Sequence, residues 1–182
     1  MAWIKTIDEE HATDLLKTYY KKYGDPFAGV DNIWKVHSMN PESLRFHYEF
    51  HKHLATAKSG LSRMQREMIG VVVSAANGCA YGVRHHGRDL FQLTKNKSLL
   101  AAMEGDFKTA DVPQKDITML EYARKLTTTP GKMEREDIDA LRSVGFKEAD
   151  ILDIALLTAY CNLESRLATG LGVELEKSLK EG

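Results

Sequence analysis

The chain has 182 residues with 25 Lys and Arg against 26 Asp and Glu, a formal charge of −1, so it lacks the basic excess that binding nucleic-acid phosphate requires. With 43% apolar and 28% charged residues it can bury a core of its own, which predicts one domain over 1–182. Two cysteines rule out a disulfide scaffold and thiolate metal clusters, and no run approaches the ~20 apolar residues of a membrane span. Met1-Ala2-Trp3-Ile4-Lys5 shows no basic stretch leading into an apolar one, so a cytoplasmic protein with reduced thiols and no membrane partner is expected.

Helical periodicity runs through the chain. Ile7, Leu15, Leu16, Tyr19 and Tyr20 form one apolar stripe, ended by Gly24-Asp25-Pro26. Asn40-Pro41-Glu42 supplies an N-cap, an N1 proline and a first-turn acid for a helix through Leu44, Phe46, Tyr48, Phe50 and Leu54. Ser62-x-x-Gln65 is a capping box that opens a long apolar helix ending at Asn77-Gly78. Val71-Val72-Val73 alone could suit a strand, but the cap and the length favour helix. A further helix is expected from 79 to about 93, then a short one around Leu99–Met103. Pro113 opens another, which stops at Thr127-Thr128-Thr129-Pro130. Glu134–Val144 closes at Gly145, and a last long helix runs from about Lys147 to Thr169. The tail, 177–182, reads as a solvated end. The fold class is all-α, a single-domain helical bundle.

Chemistry concentrates between Glu67 and His86. Glu67 sits in a helix almost free of charge, where a carboxylate is costly to bury without a partner. Cys79 follows a helix-stop signal at the start of the next helix, where N–H groups and the macrodipole favour thiolate. His86 lies seven residues on, about two turns, so it can share a face with Cys79. Acid, imidazole and thiol on consecutive antiparallel helices suit a proton relay. Each member also has a structural alternative: Cys79 as a small buried residue, Glu67 solvated beside Arg63 or Arg66, and His85-His86 as a surface pair. His47, His51 and His53 lack an acid or thiol at ligand spacing, so no metal site is expected. Trp34, Phe46, Tyr48 and Phe50 read as core or subunit-interface aromatics.

The segment EMIGVVVSAANGCAYGVRHH resembles the signature of the alkylhydroperoxidase D (AhpD-like) and carboxymuconolactone decarboxylase family, in particular its peroxidase-related branch. That signature is a Glu, about twelve residues, a C-x-x-C pair, and a His four residues after the second Cys. Glu67, Cys79 and His86 occupy the matching positions, Gly82 stands where the second Cys would be, and the likeness runs from about 32 to 176. The resemblance implies an AhpD-like helical fold, a homo-oligomer, no cofactor, and a small-molecule substrate, either a peroxide or a small organic acid. It further implies Cys79 as redox thiol with Glu67 and His86 as relay, and His85, Tyr81 and Gly82 in support. Without a thiol at position 82 the two-cysteine cycle cannot run inside the motif. Cys161 on the last long helix is a possible second thiol, against the plainer reading of a packed core residue, and an external thiol is a possible reductant. Two other functions fit the same residues. One is redox-independent acid–base chemistry of the decarboxylase type on Glu67 and His86; the other is a non-catalytic helical protein.

Overall fold

Residues with strong helical signals and punctual stops give an all-α chain. In the computed structural model, which describes residues 2–180, the helices are α1 (Asp14–Tyr23), α2 (Asn32–Lys35), α3 (Pro41–Thr56), α4 (Arg63–Ala76), α5 (Ala80–Thr94), α6 (Lys97–Glu104), α7 (Gln114–Thr128), α8 (Arg135–Ser143), α9 (Glu148–Gly170) and α10 (Lys177–Lys180). No strand occurs among the described residues. The first stripe begins later than its apolar pattern suggests. Ile7 lies ahead of α1, its N–H donating to Ser38 Oγ and its carbonyl accepting from the Tyr20 hydroxyl. Part of the tail forms α10, while residues 181 and 182 lie outside the described residues.

The helices fall into two compact units. One comprises 2–56 with 167–180, the other 57–166. The first unit is held by aromatics: Tyr23 stacks on Tyr48 at 4.3 Å between ring centres, and Trp34 meets Tyr48 edge-on at 5.2 Å. Tyr19 and Tyr23 turn their hydroxyls to Glu42 and Glu49 at 2.9 Å, so each ring is buried without stranding its polar tip. Phe46 and Phe50, expected in a core or interface, are 62% and 38% exposed.

The second unit is organised by α4. Residues 68–74 are all buried, as a helix apolar on every side must be, with α5, α6 and α7 packed against it. Its start is locked by the expected capping box: Ser62 Oγ accepts from Gln65 N–H at 3.1 Å, and Ser62 N–H donates to Gln65 Oε1 at 2.8 Å. Gln65 also donates to the buried Asp116 on α7 at 2.6 Å. At its other end Asn77 donates to Asn162 Oδ1 of α9 at 3.0 Å, and Asn162 donates to Thr127 of α7 at 2.9 Å. A polar clasp thus joins three helices. No helix among the described residues is long and apolar enough to cross a membrane. Removing one half of the capping box with Ser62→Ala should lower unfolding free energy by about 1 kcal/mol, read as a shift in urea midpoint with unchanged m-value.

Candidate active site

Glu67 lies on the second turn of α4 and His86 on the second turn of α5, two helices joined by a short turn through Gly78 at φ +65°. The turn sends α5 back along α4, and His86 Nδ1 meets Glu67 Oε2 at 2.9 Å. Both side chains are largely withdrawn from water, at 14% and 15% exposure. The other ring nitrogen, Nε2, faces α9: Glu164 Oε2 is 3.7 Å away and Cys161 Sγ 3.9 Å. Glu164 and Cys161 are three residues apart, so one turn of α9 presents both to the ring.

Room for the imidazole comes from α4 itself. A Cβ on Gly70 would fall on the His86 ring, 2.5 Å from Nδ1 and 2.6 Å from Cδ2. Gly70 is one turn beyond Glu67, so the carboxylate and the gap for its partner share a face.

Electrostatics follow from the partners. Burial by itself would push the His86 imidazole down, yet Cys161, Glu164 and Glu67 together outweigh it and hold the ring well above its ordinary value. Of the groups in this cluster, the ring is the one biased toward holding the proton. For Cys161 the balance runs the other way: burial pushes the thiol up by more than His86 draws it down. Tyr160, also buried, is pushed well up by burial and then by Glu164, Cys161 and Tyr81. Such an arrangement can donate a proton from Nε2, refill it from the sulfur, and keep the ring fixed through Nδ1.

The residues read from the sequence separate here. Glu67 and His86 meet, but the sulfur beside the ring belongs to Cys161 and not to Cys79. Cys79 is the N-cap of α5, 2% exposed, its Sγ accepting from the Gly82 N–H at 3.4 Å. The sulfur thus sits at the helix start that the sequence predicts, taken up in the first-turn hydrogen bonding of α5. Gly82 lies against α4, where a Cβ would collide with Ser74 Oγ and approach Ser74 Cβ at 3.0 Å. Tyr81 stacks on His85 at 4.4 Å between ring centres. Glu164 and Gly70 escaped the sequence reading. A faint signal existed, since Glu164 is the single acid between Asp153 and Glu174. Among the described residues no three His, Cys, Asp or Glu side chains are placed to hold a metal ion.

The carboxymuconolactone decarboxylase family model matches residues 41–103, which hold Glu67, Gly70, Cys79 and His86. The AhpD-like character extends further. The crystal structure of the alkylhydroperoxidase AhpD core of a peroxidase-related protein from Ralstonia eutropha JMP134 is 28% identical, covers 98% of this chain and 94% of its own, and superposes with a TM-score of 0.88. A peroxidase-related protein from Silicibacter sp. TM1040 is 29% identical, covering 96% and 93%, with a TM-score of 0.84. The protein YdfG of Bacillus subtilis is 21% identical over 132 residues, 72% of this chain and 88% of its own. The family segment ends before Cys161 and Glu164, so the two groups facing Nε2 come from outside it.

Two outcomes test this geometry. Gly70→Ala should displace the ring and destabilise the fold by about 1–3 kcal/mol despite alanine's better helix propensity, read by urea unfolding. The second concerns pH. His86 titrates near 6.5 when unfolded and well above that when folded, so its stabilisation is complete below 6.5 and lost as pH rises through the folded value. Stability measured from about pH 6 to about pH 10 should decline in the wild type by a component that His86→Gln lacks.

Proposed function

We propose that the protein is an AhpD-like, peroxidase-related oxidoreductase in which Glu67 and His86 form the proton-handling pair and a protein thiol supplies the electrons. The 2.9 Å bond between Glu67 Oε2 and His86 Nδ1 carries this reading. It fixes the ring and leaves Nε2 as the one nitrogen able to serve a reacting group. When a thiolate attacks a hydroperoxide, the O–O bond breaks and an alkoxide or hydroxide leaves. A nearby imidazolium protonates that oxygen and removes the cost of an anion in a buried site. The peroxidase-related relatives from Ralstonia and Silicibacter support the reaction class. A low-molecular-weight thiol is the proposed reductant, since the motif has Gly82 in place of a resolving cysteine.

A second reading has its own support: an imidazolium held by Glu67 and beside Glu164 is a general acid whatever the sulfur does. Decarboxylase-type acid–base chemistry on a small lactone or carboxylate would use the same pair without a thiol.

Peroxide consumption with dithiothreitol as reductant tests the first reading. His86→Gln and Glu67→Gln should each lower kcat/KM by about 10²-fold while circular dichroism stays helical. Unchanged peroxide turnover in both variants would remove it. A Cys79→Ser, Cys161→Ser double variant with full activity on a small lactone would establish the second.

A further inference from the structure

We infer that Cys161, on the last long helix and outside the family segment, is the sulfur that attacks the peroxide. The inference rests on the peroxidase-related reading above and names the catalytic thiol within it. Of the two cysteines, only Cys161 faces the imidazole, its Sγ 3.9 Å from His86 Nε2. Cys79 is held elsewhere, accepting the Gly82 N–H as the cap of α5. The position one turn before His86, where the motif would place its second sulfur, carries Gly82, packed against Ser74. A thiol from α9 therefore lies with Glu164 on the Nε2 side of the ring, while Cys79 is engaged with the Gly82 N–H.

The chemistry closes on these groups. Cys161 passes its thiol proton to His86 Nε2, and the resulting thiolate attacks the terminal oxygen of a hydroperoxide, ROOH, forming the S–O bond and breaking the O–O bond. His86 returns that proton from Nε2 to the departing RO⁻, so the products are Cys161–SOH and ROH. An external thiol then forms a mixed disulfide with Cys161 and releases water. A second equivalent restores Cys161–SH and leaves as the oxidised disulfide. The sulfur is 1% exposed, and a charged oxidant would have to shed its hydration to reach it. The substrate class is thus a small, uncharged hydroperoxide.

The test is the site of sulfenic acid. The full chain is treated with hydrogen peroxide in the presence of dimedone, without reductant, and the adduct is located by tandem mass spectrometry. The expected adduct is on Cys161 in the wild type and in Cys79→Ser, absent in Cys161→Ser, and formed roughly tenfold or more slowly in His86→Gln. The wild-type map stands even where Cys161→Ser fails to fold. An adduct on Cys79 that persists in Cys161→Ser overturns the inference and leaves the peroxidase reading intact. A Cys79–Cys161 disulfide in place of any adduct overturns the external-thiol step. No oxidised cysteine together with no peroxide consumption overturns both.

Discussion

One ring organises the chemistry of this protein. His86 spends Nδ1 on Glu67 and presents Nε2 to a sulfur and a second carboxylate, so α4, α5 and α9 each contribute a group to a single imidazole. Such a cluster is costly to assemble and costlier to leave incomplete: withdrawing one partner from a buried charge pair costs about 3–5 kcal/mol, because the other charge is stranded. The gap at Gly70 lets α5 bring the ring against α4, and the Asn77–Asn162–Thr127 clasp ties the end of α4 to α9 and α7.

The other unit offers a physical contrast in the same residue type. His37 shares a 2.8 Å hydrogen bond between its Nε2 and His47 Nδ1, and its own Nδ1 pairs with Ser43 Oγ at 2.8 Å. Burial pushes His37 down, because neither of these partners carries a negative charge to offset desolvation. His86 is buried too, yet it is driven up by the groups around it. Which way a withdrawn imidazole is pushed is decided by the groups within reach, here Cys161, Glu164 and Glu67. The pair in the first unit accordingly behaves as packing, edge-on to Trp34 at 4.9 Å, while His86 holds a proton it can give.

Legibility in the sequence followed the distance over which a signal acts. The capping box, the length of α4 and the stop at Asn77-Gly78 are local, and they were readable together with the all-α class. The four-residue α2 and the 3₁₀ turns at Glu9–His11, Phe107–Thr109 and Pro130–Lys132 are too short to show a period. Glu67 and His86 were found as a pair because both lie in one hairpin of helices, nineteen residues apart. Cys161 joins the same ring from seventy-five residues away, a separation over which spacing says nothing about contact. Cys79 lies at the helix start that Asn77-Gly78 marks, its sulfur accepting the Gly82 N–H, but the local stop signal carries no information on which side chains of other helices face it.

The contact between Gly82 and Ser74 bears on how closely α4 and α5 can run. A Cβ at position 82 would arrive on Ser74 Oγ, so any larger residue there obliges the serine hydroxyl to rotate and its Cβ to give way slightly. The spacing of the two helices that seat the imidazole is thus set in part by a residue that carries no side chain at all.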